Sequence, residues 1–189
     1  MKALLVSTVV VAAGEIGDKT QLLALLLAAR FRRPTPIVLG ILVATLANHA
    51  LAGLVGAWVR QIVPAAYLRW LLAASFIAVA LWALKPDRLD AQEAGPTSPL
   101  GVFAVTVTSF FLAEIGDKTQ IATVMLAAQF KNLVAVIAGT TLGMLIADVP
   151  VVYLGRAAAT RIPLRAIRVV AAGLFVVLAV VALVAPDIG

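Results

Sequence analysis

Glu15-Ile16-Gly17-Asp18-Lys19-Thr20-Gln21 recurs unchanged as Glu114-Ile115-Gly116-Asp117-Lys118-Thr119-Gln120, at an offset of 99 residues. Seven identical residues rich in charged and polar side chains mark a duplication. The register holds outside the motif: Phe31 answers Phe130, Gly40 answers Gly139, Gly56 answers Gly155, Pro64 answers Pro163, Arg69 answers Arg168 and Phe76 answers Phe175. The chain is therefore two copies of one unit, and the fold follows from what one unit is.

Around the motifs the sequence is apolar. Of 189 residues 63% are hydrophobic and 13% charged, against about 45–50% and about 25% in soluble domains. Apolar runs fall at roughly 3–30, 36–59, 67–84, 100–129, 133–155 and 165–185, each long enough at about 1.5 Å per residue to approach or exceed a hydrocarbon core about 30 Å thick. These runs predict an all-α integral membrane protein of six transmembrane helices, three in residues 1–84 and three in 100–189. Residues 85–99, with Asp87, Arg88, Asp90, Glu93, Pro96 and Pro99, form the linker. Lys2, the first run and Val11-Ala12-Ala13 resemble a secretory signal with its cleavage site. The equivalent internal segment Phe103–Ala113 argues that the first run is a retained repeat element.

Three spans per unit is an odd number, so the second unit enters the membrane from the opposite side. The result is the inverted repeat common in secondary transporters. Lys2, Arg60, Arg69 and Lys131 fall on one face of the membrane; Arg30, Arg32, Arg33, Lys85, Arg88, Arg156, Arg161, Arg165 and Arg168 fall on the other. The positive-inside rule makes the second face cytoplasmic, with both termini outside and the 85–99 linker in the cytosol. The net charge of +6 is thus topological, and without an aromatic-interleaved basic patch no nucleic-acid partner is expected. No cysteine is present, which excludes disulfides and thiolate metal ligation.

Five of the nine acidic residues, Glu15, Asp18, Glu114, Asp117 and Asp148, lie inside predicted spans. An ionisable group at a helix centre costs about 2.5–3.5 kcal/mol on insertion scales, so these groups must face a polar interior or pair. On an unbroken helix Glu15, Asp18 and Lys19 share a face, as do Glu114, Asp117 and Lys118. The glycine also allows a break and restart, with Asp18 as N-cap and Gln21 at the third helical position. Either geometry converges Glu15, Asp18, Glu114 and Asp117 near the midplane. Hard oxygen ligands suit Mg²⁺, Ca²⁺ or Mn²⁺. The alternative is a pair of buried Glu–Lys bridges that only lock the bundle, a poor stabiliser beside apolar packing.

Other polar residues surround this centre. Thr20, Gln21, Thr119 and Gln120 can add oxygen ligands or bond the preceding turn. Asn48 and His49 fall opposite Ala147 and Asp148 at the repeat offset. Asp148 is a further ligand, a proton carrier or a structural group, and His49 a proton-coupling group or a hydrogen-bonded core residue. Pro150 frees the carbonyl of Ile146 nearby. Gly139 and Gly143 have the small-residue spacing of close helix packing, and Trp58, Tyr67, Trp70 and Trp82 lie at span ends as interfacial anchors.

The doubled Glu-x-Gly-Asp-Lys-Thr signature, once in each half of a six-span chain, resembles the cation/proton antiporters that include the Golgi calcium/manganese exchangers and the shorter bacterial manganese exporters. The resemblance implies that Glu15, Asp18, Glu114 and Asp117 bind the cation, with Lys19, Thr20, Lys118 and Thr119 completing the signatures. It implies Mn²⁺ export across a bacterial inner membrane, with Ca²⁺ the other candidate, in exchange for protons. The metal is cargo, so neither a cofactor nor a catalytic residue is expected. Two rival classes remain: a small-solute exporter of the lysine-exporter type, and a passive divalent cation channel. A homodimer stays open.

Overall fold

The computed structural model describes residues 1–85, 98–154 and 164–184, with side chains from residue 169 onward in the last segment. The described residues form eight helices and no strand: α1 Lys2–Glu15, α2 Lys19–Phe31, α3 Pro34–Ile62, α4 Ala65–Ala83, α5 Pro99–Glu114, α6 Lys118–Gln129, α7 Leu133–Leu154 and α8 Leu164–Val184. Local chemistry sets the ends. Pro34 opens α3 where a helix needs no amide donor. Pro64 precedes α4, and Ser98 caps α5 by accepting from the Gly101 amide at 3.1 Å. Arg32 closes α2 in the left-handed conformation, φ 52°.

The runs at 36–59, 67–84 and 133–155 each become one helix, α3, α4 and α7, and these three are long and apolar enough to cross a bilayer. The run at 100–129 does not form one rod. It divides into α5 and α6, which together are long enough to span but are bent by 71° at their junction. The run at 3–30 divides in the same way into α1 and α2. Most of the 85–99 linker and the basic segment after α7 lie outside the described residues.

The main packing partners come from opposite halves of the chain: α1 lies on α7, α5 on α3, and α4 on α8. Small residues permit the approach. A Cβ on Gly139 would stand 2.5 Å from the Leu4 carbonyl oxygen of α1, and one on Gly40 would stand 2.7 Å from Thr106 Cβ of α5. Between helices in lipid, where no hydrophobic drive favours association, such contact supplies the dispersion energy. Phe76 and Phe175 stack at 6.5 Å between α4 and α8. Outward, Leu51, Leu54, Val177 and Val180 are exposed, an apolar surface suited to lipid. Trp58, Tyr67 and Trp70 are exposed near the ends of α3 and α4, where interfacial anchors belong. The polar residues face the centre.

Candidate cation site

The site begins with two glycines. Gly17 has φ 83° and Gly116 φ 75°, a left-handed conformation that costs other residues roughly 1–2 kcal/mol. Each bends the chain within one turn: the Asp18 amide donates to the Glu15 carbonyl at 2.9 Å, and the Asp117 amide to the Glu114 carbonyl at 3.0 Å. Gln21 Oε1 then accepts from the Gly17 amide at 2.9 Å, and Gln120 Oε1 from the Gly116 amide at 2.7 Å. Asp18 and Asp117 stand at the N-cap positions of α2 and α6. The restart geometry is thus the one that forms, and each glutamine closes its own break as a variant of the capping box.

The breaks bring the acids together at the centre of the fold. Glu15 and Glu114 are 0% exposed, Asp18 and Asp117 1%. One carboxylate oxygen each from Glu15, Glu114 and Asp117 lie within 4.8 Å of one another. Thr20 donates to Glu15 Oε2 at 2.6 Å, and Thr119 to Glu114 Oε2 at 3.0 Å. These hydroxyls orient one oxygen of each glutamate and leave Oε1 of both buried without a hydrogen-bond partner among the described residues. Buried acceptors are normally satisfied. Three converging carboxylates, two of them with an unpartnered oxygen, offer the hard oxygen donors that a divalent cation takes.

The lysines cross between the motifs. Lys19 Nζ meets Asp117 Oδ1 at 2.8 Å, and Lys118 pairs with Asp18. The alternative reading of buried Glu–Lys bridges is not what forms: each lysine reaches the aspartate of the other copy. The exchange ties the two breaks together and sets Asp18 against Lys118, while the three converging carboxylates are those of Glu15, Glu114 and Asp117. The two bridges differ in exposure, with the Lys19 side chain 23% exposed and that of Lys118 4%.

Of the outer residues, Gln21 spans from its own break to α7, where Nε2 donates to the Ala147 carbonyl at 3.1 Å. Gln120 is less buried and makes no equivalent bond among those resolved for it. Asn48 Nδ2 donates to the Phe111 carbonyl of α5 at 3.0 Å, which makes it a brace between helices. His49 and Asp148 are fully buried, and both ring nitrogens of the first and both oxygens of the second lack hydrogen-bond partners among the described residues. Neither is among the three clustered carboxylates.

The whole chain is similar to known transporters. Residues 3–91 and 102–187 match the family described as divalent cation/proton antiporter GDT1. The chain belongs to this divalent cation/proton antiporter family. A Vibrio cholerae serotype O1 protein titled "Putative manganese exporter" is 52% identical over 180 residues, covering 95% of this chain and 89% of that one. A GDT1-like protein of Synechocystis sp. is 32% identical over 188 residues, covering 88% and 89%. No solved structure matches. Membership of the family and the apolar helices together make this a multi-pass membrane protein of divalent cation transport, and the family is one of transporters, not of enzymes.

Proposed function

We propose that the chain exports Mn²⁺ from the cytoplasm in exchange for protons, by alternating access around the carboxylates of Glu15, Glu114, Asp117 and Asp18. The observation that carries this reading is the convergence of three buried carboxylates within 4.8 Å from two copies of one motif. Two lysines balance only part of the negative charge of four acids. The remainder can be neutralised by one divalent cation or by protons, and mutually exclusive neutralisation is what an antiporter requires. Like charges this close disfavour full ionisation, so an empty site takes up protons on the outer side and releases them where the metal enters. Ca²⁺ would fit the same oxygen donors; the manganese exporter title of the Vibrio relative favours Mn²⁺.

In this reading α1–α2 and α5–α6 are each one broken span, and α3, α4, α7 and α8 complete six. The two three-helix repeats are inverted, with termini outside and the 85–99 linker in the cytosol of a bacterial inner membrane. Pairing of α1 with α7 and of α5 with α3 supports this arrangement, because the first helix of each repeat lies on the middle helix of the other. Gln21, Gln120, Thr20 and Thr119 orient the carboxylates, and Asp148 and His49 relay protons.

The test is transport in proteoliposomes under an imposed pH gradient, with Mn²⁺, Ca²⁺ and Mg²⁺ compared. Metal movement coupled to the gradient, with Mn²⁺ fastest, is expected. Flux indifferent to the pH gradient would turn the reading to a passive channel, and solute flux without metal would turn it to a lysine-exporter-type carrier.

A further inference from the structure

The two motif copies are identical in sequence, but the helices that follow them are held unequally. Ala128 of α6 is 1% exposed while its repeat equivalent, Ala29 of α2, is exposed. Gln129 is buried where Arg30 is exposed, and Phe130 is buried where Phe31 is only partly so. Helix α6 lies along α3 and also on α4, whereas α2 makes no comparable contact with α8 among the described residues.

Two features of α3 account for the difference. A Cβ on Gly56 would stand 2.1 Å from the Val124 carbonyl oxygen, so only glycine lets α3 approach α6 this closely. One turn further on, Arg60 Nη1 donates to the Ala127 carbonyl at 3.3 Å and to the Phe130 carbonyl. These carbonyls end α6, where a helix has unsatisfied acceptors and a negative dipole end. A guanidinium can bridge both. The position equivalent to Arg60 in the second repeat is Ala159, a residue whose side chain carries no hydrogen-bond donor.

The cavities follow the same asymmetry. One of about 650 Å³ runs along the end of α2, lined by Leu25, Ala28, Ala29, Arg32 and Val152. Another, about 350 Å³, lies at the end of α6 and is lined by Arg60, Arg69, Gln129 and Lys131. No site carboxylate lines either one. The more exposed of the two bridging lysines is Lys19, at the head of α2.

We propose that Arg60 is a latch that holds α6 against α3 and α4 and closes one of two access routes to the cation site, leaving the route along α2 as the one released more easily. Arg60 is a positioning residue: it touches the end of the helix whose first turn carries Lys118 and Thr119, and not the site itself. This deepens the alternating-access reading and rests on it for direction. In the proposed orientation Arg60 is at the outer end, so the latched form offers the site to the cytoplasm.

The absence of native cysteine allows a direct test. Single-cysteine variants Ala128→Cys and Ala29→Cys, in nanodiscs that expose both faces, are reacted with a membrane-impermeant maleimide in the absence of metal. Ala29→Cys is expected to react at least about tenfold faster than Ala128→Cys. Adding Arg60→Gln should accelerate Ala128→Cys at least about tenfold, the effect of about 1.4 kcal/mol on an opening equilibrium, and leave Ala29→Cys unchanged. Arg60→Lys, a point donor in place of a fork, should fall between. A general loosening would accelerate both sites equally and overturn the proposal, as would no change at Ala128→Cys. Because the labelling needs no transport, it separates failure of the latch from failure of the proposed cargo.

Discussion

At the scale of single residues, the proposed site separates carboxylates that would bind from hydroxyls that aim them. Glu15 and Glu114 each present one oxygen held by a threonine and one with no hydrogen-bond partner among the described residues. Glu15→Gln or Glu114→Gln removes a ligand charge while keeping the shape, and each should abolish metal exchange in proteoliposomes while the protein still inserts. Thr20→Val and Thr119→Val remove only the orienting hydroxyl, and loss of an outer partner weakens metal binding by about 10–100-fold; Mn²⁺ titration of the purified variants measures it. Removal of Lys118 has a different outcome. Lys118→Met removes the cation that pairs with buried Asp18, and breaking a buried pair costs about 3–5 kcal/mol. Lys19→Met, at the more exposed bridge, should cost less, and thermal unfolding in detergent compares the two. Protons and metal compete for the same carboxylates, so lower pH weakens binding and higher pH strengthens it. Apparent Mn²⁺ affinity should rise about tenfold per pH unit for each proton displaced; an affinity constant from pH 6 to 8 would show that no proton is exchanged.

At the scale of elements, the break in each motif helix decides what its residues can reach. A straight helix would hold Glu15, Asp18 and Lys19 on one stripe. The turn at Gly17 instead places Asp18 at the start of a new helix and turns Lys19 toward the other copy. A Cβ on Gly116 would meet nothing within 4 Å, so Gly116→Ala tests the backbone conformation alone. Its positive φ predicts a loss of about 1 kcal/mol or more, read by thermal unfolding, with loss of metal binding because the carboxylates are re-aimed. Gly139→Val, by contrast, acts through contact, forcing α7 away from the Leu4 carbonyl of α1.

At the scale of the whole molecule, the paired helices from opposite halves make each copy of the motif depend on the other. Neither half of the chain holds all three converging carboxylates, which are Glu15 from the first and Glu114 and Asp117 from the second. Co-expressed halves should therefore bind Mn²⁺ only when both are present. The unequal hold on α2 and α6 means that two copies of one sequence need not share one conformation at the same time, and an exchanger that alternates between faces requires such inequality.

Much of this was legible in the chain. Apolar runs identified a membrane protein, because no soluble fold hides so much apolar surface. The repeated motif placed the acids and lysines inside apolar runs, and the glycine in each copy allowed a break. The sequence could not choose between a straight and a broken helix, since both satisfy the same spacing, and the left-handed glycines settle it only in three dimensions. Nor could spacing show that each lysine pairs across to the other copy, a contact between residues about a hundred positions apart. Burial made the final distinction: identical motifs lie on helices whose later residues differ, and packing against α3, through Gly56 and Arg60, buries the end of α6 where the end of α2 is exposed.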